Sequence, residues 1–216
     1  MVENPPNPEE CDAFEKTREK ILRQALLLSP FGGWNDTMLA EAATAAKINP
    51  AHLAAAFPGG VGDVLRYWSA QTDRAMAAAM DGLAFDSLKI RDKVAFAIRA
   101  RLDHLRPHKE AARRAAATLA LPGKQFLAAE LSWKTADAVW RGLGDASTDL
   151  NYYTKRAILA GLWTNVMARW FGDNSDDEAP TRAFLDARIE NVMQFEKAKA
   201  RLRDMGPNPA KLIEYL

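Results

Sequence analysis

Residues 34–60, W-N-D-T-M-L-A-E-A-A-T-A-A-K-I-N-P-A-H-L-A-A-A-F-P-G-G, carry the reading that decides the fold. Asp36 can accept hydrogen bonds from the first backbone N–H groups of a helix that ends near Lys47. Ile48-Asn49 then turns the chain into a second short helix, opened by Pro50 at a first-turn position and closed by Pro58-Gly59-Gly60. Two helices joined by so short a turn predict a helix-turn-helix. On the N-terminal side, Phe14, Ile21, Leu22, Ala25 and Leu28 form a helical stripe that stops at Ser29-Pro30 and Gly32-Gly33. On the C-terminal side a helix from about Val61 to Met80 follows. Ile90, Val94, Ile98, Leu102 and Leu105 mark a fifth, broken at Pro107, and an alanine-rich sixth runs to Leu121-Pro122-Gly123. Helices over 124–141, 149–171 and 179–203 complete the pattern, which stops at Gly206-Pro207. The expected fold is all-α, with about nine helices: an N-terminal helix-turn-helix and a larger C-terminal helical bundle.

Composition agrees. Forty alanines against seven valines and seven isoleucines favour helix over sheet. At 216 residues the chain can bury a real core. The expected divisions are a disordered lead-in over 1–10, a helix-turn-helix-like part over 11–82, a helical part over 83–205 and a short tail over 206–216, with a seam between 80 and 88. A single cysteine, Cys11, excludes an internal disulfide and a thiolate metal cluster. No stretch approaches the roughly 18–20 apolar residues of a membrane span. The opening M-V-E-N-P-P-N-P-E-E is acidic and proline-rich, unlike a secretory signal or an arginine-rich transit peptide. It predicts a bacterial cytoplasmic protein, or a mitochondrial matrix protein whose leader has been removed.

The helix-turn-helix resembles the N-terminal segment of TetR-type repressors. A recognition helix needs side chains that reach base edges and cations that hold phosphates. Here residues 50–57 offer His52 and otherwise Ala, Leu and Phe, with Ala54 and Ala56 where such repressors commonly place aromatics and Gly60 where they place a lysine. Residues 30–74 hold four acids (Asp36, Glu41, Asp63, Asp73) and three bases (Lys47, Arg66, Arg74), so no surplus charge attracts phosphates. The repressor fold is expected and nucleic-acid binding is not. A ligand-responsive TetR-type regulator stands as the alternative function.

Catalytic patterns are scarce. His104 and His108 are spaced to share a metal on a helix, but Pro107 lies between them and no H-E-x-x-H pattern forms. No Glu-x-x-His motif of helical di-iron sites and no G-x-S-x-G elbow occurs. Gly142-x-Gly144-x-x-Ser147 follows a helix where the dinucleotide fingerprint requires a strand. No catalytic residue, metal site or cofactor is expected. Trp133 and Trp140 are seven residues apart on one helix, and Trp163 and Trp170 repeat the spacing on the next, so each pair shares a face. With Phe126, Leu127, Leu131, Leu159, Leu162, Val166 and Met167 they make either a filled core or the lining of an apolar cavity. Residues 89–124 carry ten bases and three acids, a local excess of +7 that suits a solvated face, a nucleic acid, an acidic partner or anionic lipid head groups.

The run Gly144–Arg156, G-D-A-S-T-D-L-N-Y-Y-T-K-R, adds what no ordinary helix needs. Gly144 can close one helix in the left-handed conformation, and Thr148 or Asp149 can cap the next. Adjacent helical residues diverge by about 100°, so Tyr152 and Tyr153 cannot share a core seam. Asp145, Asp149, Lys155 and Arg156 fit simple capping and pairing; the tyrosine pair fits a protein-partner surface better. This run closely resembles the G-D-x-S-T-D-x-N-W-Y-T-[RK]-R signature of the ubiquinone (coenzyme Q) biosynthesis accessory family, with Tyr152 in place of the usual Trp. The resemblance continues through Ala157, Leu159 and Ala160, then Gly172–Asp176 and Phe184–Glu190.

That resemblance implies a TetR-like fold, a bound isoprenoid quinone or phospholipid and no enzymatic activity of its own. It also implies a partner, the di-iron hydroxylase acting late in the pathway. It favours the cavity reading of Phe126, Leu127, Leu131, Trp133, Trp140, Leu159, Leu162, Trp163, Val166, Met167 and Trp170. It places the hydroxylase at Asp137, Tyr152, Tyr153 and Arg156, with Trp140 nearby. Lipid handling draws the basic segment toward a membrane surface, peripheral at the inner membrane. Relatives often continue into an amphipathic membrane helix. Here the last helix mixes Phe184, Leu185, Ile189, Val192, Met193 and Phe195 with Lys197, Lys199, Arg201 and Arg203, and only Lys211–Leu216 follows two prolines, so a strong anchor is not expected. TetR-like proteins usually pair through their last two long helices, so a homodimer is expected.

Overall fold

The computed structural model describes residues 8–81, 88–148 and 150–204, with side chains between residues 12 and 194, and among these described residues the secondary structure is nine α-helices and one 3-10 turn. They are α1 (Pro8–Gly32), α2 (Asp36–Ala45), α3 (Pro50–Ala56), α4 (Val61–Asp81), α5 (Ile90–Leu105), α6 (Lys109–Leu119), α7 (Gln125–Gly142), α8 (Leu150–Phe171) and α9 (Ala179–Asp204). The 3-10 turn, Arg106–His108, absorbs Pro107 between α5 and α6. No strand occurs among the described residues.

Three local expectations change. Helix α1 begins at Pro8, within the expected lead-in, and runs through Ser29-Pro30, with Pro30 inside its last turn, to stop at the expected Gly32-Gly33. A proline so close to the end forfeits one ladder bond, and the helix closes where Gly33, at φ +70°, donates to the Ser29 carbonyl. The cap of α2 is Asn35 rather than Asp36, with Asn35 Oδ1 accepting from the Met38 N–H at 2.9 Å. Asn49 repeats the device on α3 through the His52 N–H at 2.8 Å. Between them Lys47 takes φ +59°, a strained left-handed position that completes the tight turn. The expected Asp149 cap and the segment 82–87 at the seam lie outside the described residues, as do the side chains of Phe195, Lys197, Lys199, Arg201 and Arg203 and the tail beyond residue 204.

Helix α4 is the axis of the molecule. Its buried residues Val64, Leu65, Trp68, Met76 and Met80 belong to the hydrophobic core, and the helix packs chiefly on α5 and α7, while the Tyr67 hydroxyl donates to Glu15 of α1 at 2.9 Å. Trp34 stacks on Trp68 at 5.5 Å and donates its indole N–H to the Ala111 carbonyl, joining the first helices to α6. Within this core Arg101 donates to Asp73 at 2.7 Å and lies over the Trp163 ring at 4.3 Å, while Thr135 also donates to Asp73. One buried ion pair thereby ties α4, α5, α7 and α8. Gly142 lets the end of α7 approach α4, since a β-carbon there meets Met80 Cε at 2.9 Å.

Candidate functional site

The end of α7 sets the site. Gly144, at φ +74°, donates to the Arg141 carbonyl, and the Asp145 N–H reaches back to the Trp140 carbonyl at 3.0 Å. These two bonds are a Schellman closure, and they fix Asp145 against the first turns of α8. Its Oδ1 accepts from Lys155 Nζ and from Ser147 Oγ, both at 2.7 Å, and its Oδ2 accepts from Arg156 at 3.2 Å. The Lys155 bond, followed by that from Ser147, lowers the Asp145 pKa to about 2.

Arg156 lies beneath the surface, 1% exposed. Its Nε donates to Asp137 Oδ1 at 2.6 Å, and its guanidinium lies 3.5 Å from the Tyr152 ring centroid. Asp137 also accepts from Arg141 at 2.7 Å and from the Tyr152 hydroxyl at 3.3 Å. The sequence groups Arg156 with the expected partner contacts; the fold instead buries it beneath the Tyr152 ring. Tyr152 is half-buried and Tyr153 is 60% exposed, their rings edge to face at 5.1 Å. Trp133 lies 6.2 Å from Tyr153 and 6.4 Å from Tyr152. With Leu150 also exposed, an aromatic surface rests on a framework of charge-assisted hydrogen bonds.

An apolar cavity of about 300 Å³ opens beside this surface, between α5, α7, α8 and α9. Of the expected lining residues it contains Trp140, Leu159 and Leu162. Trp163, Val166 and Trp170 are packed in the core elsewhere, Trp170 donating to Glu178 at 2.7 Å. Leu127 and Leu131 are buried on α7, with Leu127 close to Gly62 of α4, and Met167 is half-buried against the core. Phe126 is 82% exposed, and Trp133 belongs to the tyrosine cluster. The rest of the cavity wall was missed. Ile90 and Val94 come from α5, Ile158 from α8, and Ile189, Val192 and Met193 from α9. Their helical spacing is visible in the sequence, but nothing there distinguishes a stripe facing a void from one facing a filled core. Arg91, Asn151, Thr154 and Lys155 form its polar edge.

The +7 segment looks different once folded. Arg91 pairs with Glu190, Arg99 with Asp186 and Arg106 with Glu178, acids drawn from α9 and the turn before it. Lys109 donates to the Asp173 carbonyl and Arg113 to that of Phe171, the electronegative end of α8. These cations are thus bonded within the fold, while the arginine side chains stay about half exposed. Asp173 caps α9 through Thr181 and accepts from Ser175, which holds its carboxyl well below the usual carboxylate range. Glu178, a left-handed residue at φ +52°, keeps a lowered pKa: burial opposes it, but Arg106 and Trp170 prevail. His104 and His108 border a separate groove against α1 and α4. Among the described residues no group of three or more His, Cys, Asp or Glu is placed to hold a metal ion.

The comparisons with known proteins point the same way as the signature. A family model described as COQ9 matches residues 126–196, the span holding the aromatic surface and much of the cavity. The mitochondrial ubiquinone biosynthesis protein COQ9 of Rattus norvegicus is 28% identical over 206 residues, covering 92% of this chain and 65% of that protein. The Homo sapiens protein of the same description is 26% identical, covering 92% of this chain and 64% of its own length. The chain thus spans a little under two thirds of these relatives. Among solved structures, a TetR transcriptional regulator from Nitrosomonas europaea superposes with a TM-score of 0.66 at 17% identity, covering 83% of this chain and 99% of that one. At that identity the likeness is one of fold. No helix among the described residues is long and apolar enough to cross a membrane. Along most of its length, then, the chain resembles the COQ9 family of ubiquinone biosynthesis proteins, and it does so on a TetR-like, all-helical fold.

Proposed function

We propose that the protein is a non-enzymatic lipid-binding accessory of ubiquinone biosynthesis, which presents an isoprenoid quinone intermediate to a di-iron hydroxylase at a membrane surface. The observation that carries this reading is adjacency. Trp140 and Lys155 line the apolar cavity and also hold Asp145, part of the framework under the tyrosine surface: the Trp140 carbonyl accepts from the Asp145 N–H, and Lys155 Nζ donates to the Asp145 carboxylate. A ligand held there is delivered beside whatever docks on Tyr152, Tyr153 and Trp133. An isoprenoid tail gains about 0.8 kcal/mol per buried CH₂, so sheltering it lowers the barrier to leaving the bilayer. At about 300 Å³ the cavity matches the lower end of the roughly 300–1,000 Å³ of small-ligand sites. It suits a head group or the first isoprene units, with the remaining tail outside.

The regulator reading finds little support in α3, whose exposed face is Pro50, Ala51, His52, Ala54 and Ala55. The test is a pull-down of the hydroxylase with the full chain. Tyr152→Ala/Tyr153→Ala is expected to lose the hydroxylase by at least tenfold while retaining its lipid, since buried aromatic anchors cost about 2 kcal/mol or more when truncated. Undiminished capture by the double variant removes the patch from the account.

A further inference from the structure

The cavity and the tyrosine surface share a wall. Lys155 lines the cavity, and its Nζ reaches Asp145 at 2.7 Å. Trp140 lines it too, and its indole N–H donates to the Lys155 carbonyl at 3.2 Å. From Asp145 the next contact is Arg156 at 3.2 Å, and Arg156 lies 3.5 Å beneath the Tyr152 ring. Three contacts therefore lead from the cavity wall to the aromatic surface. Asp145 contacts both cations and does not itself line the cavity.

We propose that filling the cavity orders the tyrosine surface through the Lys155–Asp145–Arg156 link, with Asp145 as the positioning residue. The inference rests on reading the cavity as a site for an apolar ligand. Trp140 and Lys155 both present part of their surface to the cavity. A tail lying against both restricts them, and with them the amine that fixes Asp145. Asp145 then holds Arg156, and Arg156 holds Tyr152, in a narrower set of positions. Ordering that is prepaid by the first ligand is not charged to the second, so the effect is a positive coupling without any large movement. Linkage makes it reciprocal: a partner that clamps the tyrosines tightens the hold on the ligand. The protein then offers its docking surface preferentially when loaded.

The test uses delipidated full-length protein and a ubiquinone carrying two isoprene units as the probe. Equilibrium dialysis measures binding, and amide hydrogen exchange over residues 150–156 measures order at the surface. In the wild type the quinone is expected to slow exchange there by about fivefold or more, the lower end of typical couplings. Asp145→Ala is expected to bind the quinone as the wild type does, yet to lose the slowing. If circular dichroism shows Asp145→Ala unfolded, the isosteric Asp145→Asn takes its place and is expected to lose most of it. Binding without slowing in the wild type, or equal slowing in the variant, overturns the coupling and leaves the ligand site standing. A variant that no longer binds also overturns it, because Asp145 then belongs to the site itself. A wild type that takes up no quinone overturns the coupling together with the ligand reading.

Discussion

Arg156 concentrates the chemistry of the site in one side chain. A guanidinium 1% exposed is tolerated because Asp137 and Asp145 share its charge at 2.6 and 3.2 Å and Tyr152 covers its face. Removing one partner of a buried pair strands the others, which typically costs about 3–5 kcal/mol. Arg156→Ala is accordingly expected to lose about 3 kcal/mol or more in urea unfolding; a loss below about 1 kcal/mol contradicts the framework. Asp145 sets a pH dependence with a definite sign. Its pKa falls from 3.8 to about 2 because the folded state favours the carboxylate. Its contribution is therefore fully present above pH 4 and is lost as pH falls through about 2. Between pH 4 and 2 the wild type is expected to lose more stability than Asp145→Asn, measured by unfolding at each pH. Equal slopes contradict the assigned bonds.

The helix ends carry the site, and the end of α7 was legible in the sequence. Gly144 announced the end of α7 because only glycine adopts φ +74° without strain, and the reversal it makes brings Asp145 onto α8. A β-carbon at Gly144 meets no atom within 4 Å, so Gly144→Ala tests the backbone alone. It is expected to cost about 1–2 kcal/mol and to weaken hydroxylase capture along with stability, read by unfolding and pull-down on the same preparation. A neutral substitution overturns this account of the turn. Elsewhere local signals competed. Asn35 and Asp36 are both good caps, and only the folded backbone, with Asn35 extended, selects the first. Pro30 read as a stop because a proline breaks helix interiors, yet it falls where a single ladder bond is lost. The tryptophan pairs show the limit most clearly. Seven-residue spacing puts Trp133 and Trp140 on one side of α7, but Trp133 meets the tyrosines and Trp140 meets the cavity. Periodicity along one helix does not say which neighbour that side will face.

At the scale of the molecule, a TetR-like helical fold brings an apolar cavity and an aromatic surface side by side. Helix α4 packs on α5 and α7, while Arg91 and Arg99 of α5 pair with acids of α9 and Arg106, in the 3-10 turn, pairs with Glu178 just before α9. These pairs join residues 72 to 99 positions apart in the chain, which is why a local charge count reads as a free basic face. The same long range hid the cavity, whose wall is assembled from α5, α7, α8 and α9. On the function proposed above, this cavity holds an isoprenoid amphiphile. The most direct test is lipid mass spectrometry of the gently purified full chain beside Ile158→Trp, which fills the cavity from α8, with an unrelated helical protein from the same cells as control. The account predicts isoprenoid quinones or phospholipids enriched in the wild type and depleted in Ile158→Trp. Wild-type protein that carries no lipid and takes up no added quinone, or a filled cavity that retains the wild-type load, contradicts it.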